Sequence, residues 1–176
     1  MFREMRRTKC ALKTETAEKI LREGSYGVLA LTGDDGYNYA VPLNYALEDN
    51  KIYFHSALTG HKIDAIQNNC KVSFCVVDKH NVIPAEFTTY FTSVIAFGKI
   101  RIAEDDAEKT HALELLADKF CPNADKNLRE KEISRINAVK ILVLEIEHLS
   151  GKAAREIVRE GEIAQKNRSS NWQPTF

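Results

Sequence analysis

The segment Tyr53-Phe54-His55-Ser56-Ala57-Leu58-Thr59-Gly60-His61-Lys62 holds the residue types in this chain best suited to chemistry. Aromatic and apolar residues give way to small and hydroxyl residues, then a glycine, then His61 and Lys62 at the head of a helical pattern. A helix N-terminus presents amides without partners and about half a positive charge, which suits a phosphate. Lys62 adds a full charge there, and Ser56 and Thr59 add hydroxyl donors. An ordinary strand-to-helix loop, in which the same polar residues cap and turn, also accounts for these ten residues. On residue types alone both readings stand. His55 ends a strand in aromatic surroundings, where a hydrogen-bonded structural role competes with a role in a site.

Other chemistries find little support. His80, His111 and His148 have no metal-ligand spacing, and no serine sits in a G-x-S-x-G turn. Cys70 and Cys75 are five apart in a strand-like stretch, and there is no C-x-x-C pair. All four cysteines, Cys10, Cys70, Cys75 and Cys121, read as free thiols and small buried hydrophobes. No metal site and no catalytic residue is assigned.

The elements around the motif follow from periodicity and punctuation. A helix opens at Thr14, read as its N-cap, with Glu15 and Glu18 near its start and Gly24 as its stop. Residues 26–32 form a strand that ends at the hairpin turn Gly33-Asp34-Asp35-Gly36. In the next strand Tyr37, Tyr39, Val41, Leu43, Tyr45 and Leu47 alternate with Asn38, Ala40, Pro42, Asn44 and Ala46. Pro42 lacks an amide proton, which puts this strand at an edge or a bulge. A third strand spans 51–56, a helix 61–68, a strand 71–78, a loop surrounds Pro84, and a long strand runs over 91–103. Asp105 caps a helix reaching about Phe120, with Ala112, Leu115 and Leu116 inward. A second helical stretch covers 127–137, and a last strand 140–148. The fold class is mainly β with α: a six-stranded antiparallel barrel with flanking helices, since no βαβ rhythm appears.

The 176 residues support one sizeable core. Twenty-five Lys and Arg balance 25 Asp and Glu, so the formal net charge is zero. That balance argues against nucleic acid or an anionic membrane held by bulk charge. No apolar run approaches the ~20 residues of a membrane span, and the basic start, Arg3, Arg6, Arg7 and Lys9, lacks the apolar stretch of a signal peptide. It reads as solvated charge or a mobile arm, and the expected location is cytoplasmic. Ile141 to Leu144 is apolar on both faces and needs more cover than one small barrel readily gives, which points to a homodimer.

Several stretches together are similar to a known family. They are Tyr26-Gly27-Val28-Leu29-Ala30, Val41-Pro42-Leu43-Asn44-Tyr45, Ile52 to Lys62, Phe87-Thr88-Thr89-Tyr90-Phe91-Thr92-Ser93-Val94-Ile95, and Ile146-Glu147-His148-Leu149-Ser150-Gly151-Lys152. In order and spacing they resemble the pyridoxamine 5'-phosphate oxidase-like split β-barrels, in the branch related to the Nim 5-nitroimidazole resistance proteins. The resemblance spans residues 3–155. It implies a split barrel, a homodimer, and two molecules of flavin mononucleotide (FMN) at the subunit interface. By position, Val41, Pro42, Leu43, Asn44 and Tyr45 would flank the flavin ring, largely through backbone groups. Ser56, His61 and Lys62 would hold the phosphate and ribityl end, His55 would close the strand beneath them, and Thr89 and Ser93 would approach the same site. The pyridoxal phosphate-binding residues of the biosynthetic oxidase are absent, so that activity is not expected.

The resemblance thus implies an FMN-dependent oxidoreductase, with a reduced pyridine nucleotide as donor and a small acceptor such as a nitro compound. The flavin itself carries the hard chemistry, so no acid–base pair is required of the protein. The alternative is a module that holds flavin or haem without turnover. Residues 1–155 form the expected domain. Residues 156–176 form a polar extension ending near Trp172, the one tryptophan, which either pins the tail or lies over the flavin edge.

Overall fold

The computed structural model describes residues 2–159, so Trp172 and most of the expected extension lie outside the described residues. The first helix, α1 (Thr14–Glu23), buries Ala17, Ile20 and Leu21, the i, i+3, i+4 stripe of an amphipathic helix. Its N-cap is Lys13, not Thr14. The Lys13 carbonyl already accepts the amides of Thr16 and Ala17, so the first turn closes one residue earlier than a threonine cap requires.

Strands β1 (Tyr26–Thr32), β2 (Asn38–Asn44), β3 (Ala46–Glu48) and β4 (Lys51–Ser56) follow. Then come α2 (His61–Asn68), β5 (Lys71–Ile83), β6 (Thr88–Ile102), α3 (Asp106–Phe120), α4 (Lys126–Ile133) and β7 (Lys140–Ala153). All strand pairs are antiparallel, in the order β2-β1-β5-β6-β7-β4-β3. The outermost strands β2 and β3 are separated in the chain by Tyr45 alone. The sheet is thereby drawn round on itself, giving the split barrel with flanking helices.

The strand count is seven where sequence gives six, because Tyr45 divides the long alternating run. Its ring is fully buried, and its hydroxyl donates to the Leu21 carbonyl at 2.5 Å. On one side of it β2 pairs with β1, and on the other β3 pairs with β4. Pro42 does fall on an edge strand, as its missing amide demands.

The β5–β6 hairpin also outruns its sequence boundaries. Lys79 to Ile83 pair with Thr92 to Thr88 across a register shift at Val77 and Lys79, and Pro84 begins the tip turn. This outer ribbon has no core-facing alternation to announce it.

The main core joins Leu21, Leu29, Phe54, Phe74, Val94 and Leu142 inside the barrel. A second cluster, Tyr53, Ala103, Ala112, Ile141 and Val143, lies beneath α3. Ile141 to Leu144 are all fully buried within one chain. Their two apolar faces are covered by the barrel interior and by α3, so the cover expected from a second subunit is supplied internally. Asp105 caps α3 by accepting the Glu108 amide at 2.9 Å. Arg101 then grips Glu108 through two bonds of 2.7 and 2.6 Å.

The cysteines are not core residues. Cys70 and Cys121 are exposed, at the α2–β5 link and just beyond α3, while Cys10 and Cys75 are half-buried. Among the described residues no group of His, Cys, Asp or Glu is arranged to hold a metal. No helix among them is long and apolar enough to cross a membrane.

Candidate functional site

The start of α2 is built as the sequence motif suggests. Gly60 is its N-cap at φ +122°, a backbone region that favours glycine. No side chain caps the first turn. The amides of Ile63 and Asp64 turn back to the Gly60 carbonyl, at 2.8 and 3.2 Å. The His61 and Lys62 amides therefore lie at the open, electropositive end of the helix. Lys62 is half-buried, and burial pushes its ammonium below the ordinary lysine value. It makes no ion pair among the described residues. A partly desolvated cation with no acidic partner among the described residues gains from an anion beside it. Ser56, 5% exposed, ends β4 four residues before Gly60.

His61 ties this helix start to the edge strand. Its ring stacks on Tyr39 with centroids 4.2 Å apart and planes 16° from parallel. Its Nε2 lies 3.4 Å from the Asp34 carboxylate in the β1–β2 turn. Tyr39 shares a face of β2 with Val41 and Leu43, all three packed partly against the barrel core. Pro42 and Asn44 lie on the opposite, exposed face.

A second feature lies across β4 from the core. Asn44 and His55 open onto a cleft of about 770 Å³, walled by apolar residues of α3 and α4 that include Leu113, Leu116, Phe120, Leu128 and Ile133. Arg129 and Arg135 stand in its lining, each already paired: Arg129 with Asp118 at 2.6 Å, and Arg135 with Glu132 at 3.3 Å. A mostly apolar cavity of this size with a few polar groups is the usual form of a small-molecule site.

The eleven residues singled out from sequence therefore fall in several places. Ser56, His61 and Lys62 sit around the start of α2, with Val41 and Leu43 on the Tyr39 side of the edge strand. Asn44 and His55 share the helix-walled cleft, while Pro42 stays exposed on the edge strand. The Tyr45 side chain is committed to the core. Thr89 lines a separate cleft beside the N-terminal arm. Ser93 lies on the outer face of the sheet, opposite Val77 on β5 and Lys152 on β7.

Sequence reasoning did not single out Tyr39, Asp34 or the apolar wall of α3 and α4. Tyr39 had a usable signal, as the aromatic residue two before Val41 on the same strand face. The α3–α4 wall had none, since its residues are ordinary helix-packing positions.

Comparison with known proteins agrees with this fold. Residues 13–153 match the pyridoxamine 5'-phosphate oxidase family. Among solved structures, a candidate 5-nitroimidazole antibiotic resistance protein from Bacteroides thetaiotaomicron is 23% identical, with a TM-score of 0.70. The alignment covers 81% of this chain and 86% of that one. A FAD-binding protein from Mesorhizobium loti is 27% identical, with a TM-score of 0.60, over 82% of this chain and 96% of that one. A FAD and haem binding protein from Mycobacterium smegmatis is 21% identical, with a TM-score of 0.68, over 83% and 73%. No protein of curated function matches the chain.

Proposed function

The chain belongs to the pyridoxamine 5'-phosphate oxidase family, and from that premise we propose that it is an FMN-binding oxidoreductase working as a homodimer. The observation that carries this reading is Lys62: a half-buried cation with no ion pair among the described residues, at a glycine-capped helix start. Those groups fit a terminal phosphate, through a charge-assisted bond from Lys62 and through the open amides of His61 and Lys62. Ser56 lies near enough in the chain to add a hydroxyl. Val41 to Tyr45 would meet the ring through backbone groups, since the Tyr45 side chain is used elsewhere.

The sheet's outer face supports the homodimer. Val28, Cys75, Ile95 and Ser150 form one row across β1, β5, β6 and β7, and Ala30, Ser73, Phe97 and His148 form the next. Eight adjacent outward residues without an acid or a lysine make a surface suited to a like surface. Ser93 borders these rows. In the dimer Thr89 and Ser93 would reach a flavin only from across the interface.

Bound flavin supplies reversible electron and hydride transfer. The protein's own residues orient and exclude water. The helix-walled cleft would receive the acceptor, a small apolar or aromatic molecule such as a nitro compound, with His55 and Asn44 as its polar contacts. A reduced pyridine nucleotide would be the donor. The domain would end near residue 155, and the setting would be cytoplasmic.

A second reading has its own support. An exposed histidine, His55, opening into an apolar cleft of this size also suits haem, and the M. smegmatis relative is named for both FAD and haem. The visible spectrum of freshly purified protein separates the two. Flavin peaks that bleach with NADH or NADPH in anaerobic stopped flow support the oxidoreductase. A Soret band with no flavin, or flavin that no donor reduces, supports the holding module.

A further inference from the structure

The basic N-terminal arm is not loose charge. Its backbone is pinned to β7, where the Leu12 amide donates to the Gly151 carbonyl at 2.9 Å and Ala11 bridges Lys152. A short turn at Thr8–Cys10 precedes it, closed by the Cys10 amide on the Arg7 carbonyl at 2.9 Å. This course brings Arg6, Arg7 and Lys9 to one cleft of about 540 Å³ together with Lys152 and Arg155 from the far end of the sheet. Among the described residues none of these five cations makes an ion pair, and the cleft lining holds one carboxylate, Glu156. Lys152 lies over the Phe91 ring at 5.6 Å, and Thr88 and Thr89 add hydroxyls. All of these residues lie apart from the α2 start where Lys62 stands.

Like charges within a screening length of about 8–10 Å repel. Five cations without an ion pair among the described residues, gathered in one concavity of a chain of zero net charge, suit an anion of several charges. Arginine also matches phosphate through paired hydrogen bonds. The volume exceeds what a lone phosphate fills. We propose that this cleft binds a diphosphate ester, with Arg6, Arg7 and Arg155 on the phosphates and Thr88 donating its hydroxyl. In the flavin reductase reading, on which only the role rests, the ligand is the adenosine diphosphate end of the reduced pyridine nucleotide donor.

Calorimetric titration of the full-length, FMN-loaded protein with ADP and with adenosine tests this. ADP should bind at least ~10-fold tighter than adenosine, and weaken between about 50 and about 200 mM salt as screening grows. Arg6→Ala/Arg7→Ala and, separately, Arg155→Ala should each weaken ADP at least ~10-fold while FMN affinity and the melting temperature hold. NADPH that displaces ADP assigns the cleft to the donor. FAD that displaces it while NADPH does not assigns the cleft to the adenosine half of a larger flavin, and both satisfy the diphosphate chemistry. ADP bound no better than adenosine, ADP affinity unmoved by both variants, or FMN lost in parallel with ADP would each overturn the proposal. Should the purified protein take no flavin, the same ADP and adenosine titrations of the flavin-free full chain, with the melting temperature as the control, decide the proposal.

Discussion

The Lys119 ammonium lies 4.1 Å from the centroid of the Tyr45 ring, and both side chains end at the C-terminal end of α1. Lys119 donates to the Gly24 carbonyl at 2.5 Å, and Tyr45 donates to the Leu21 carbonyl at 2.5 Å. The chain thus fixes the point where the sheet closes against the C-terminus of one helix and the last turn of another. Gly24 permits the approach, since a Cβ there would stand 2.6 Å from the Tyr45 hydroxyl. Among the described residues no carboxylate balances Lys119, and burial pushes its ammonium down to about 8.

That shift sets a pH dependence. Below about pH 8 Lys119 is charged in both the folded and unfolded chain, and the fold bears the cost of burying it. From about 8 to the ordinary lysine value of 10.5 the unfolded chain holds a proton that the folded one has released, so stability rises with pH. Tyr45 acts in the opposite sense only above pH 10, because burial raises its hydroxyl above that value. Urea midpoints should therefore climb between pH 8 and 9.5 in the wild type relative to Lys119→Met, which keeps the apolar stem. Parallel pH profiles for the two proteins would refute the assignment.

Much of this architecture is legible in residue pattern, and the failures have physical causes. Asp105 as a cap, the Gly33–Gly36 turn and the Pro42 edge come from local chemistry, and the structure has each. The break at Tyr45 does not show, because alternation continues through it and only the tertiary contact with Leu21 diverts the chain. The β5–β6 ribbon past Asp78 mixes polar and apolar residues on both faces, so period-two reasoning has nothing to follow. The site divides similarly. Gly60, His61 and Lys62 are contiguous and readable, whereas the cleft beside His55 is assembled from α3 and α4, more than 50 residues later.

Gly60 gives a second test. Its φ of +122° is strained for any side chain, while no heavy atom within 4 Å would obstruct a Cβ. Gly60→Ala should cost about 1–3 kcal/mol through the backbone alone and weaken FMN binding by shifting the first turn of α2. Loss of stability without loss of FMN affinity, measured by melting and by flavin titration, would remove the α2 start from the binding site.

The outer sheet face predicts assembly. Light scattering at micromolar concentration should give about twice 19.9 kDa. Ile95→Glu, at the centre of the uncharged rows, should yield monomers, because two carboxylates would then meet in a desolvated contact. A dimer that survives this change lies elsewhere on the molecule.

The stack between His61 and Tyr39 links the edge strand to the helix start. Aromatic pairs of this kind contribute about 0.5–1.5 kcal/mol beyond their burial. Tyr39→Leu should weaken FMN binding several-fold and leave the oligomer intact, read by flavin fluorescence titration and light scattering. Unchanged affinity would mean that the stack only braces the fold.

The most direct test compares FMN with riboflavin, which lacks the phosphate, on the wild type and on Lys62→Ala. If Lys62 meets a phosphate at the head of α2, the wild type binds riboflavin poorly. The substitution should then weaken FMN by about 1.5–3 kcal/mol, the worth of a charge-assisted hydrogen bond, and scarcely change riboflavin. Equal losses for the two ligands, or none for either, would contradict the account and return Lys62 to the role of an ordinary surface lysine.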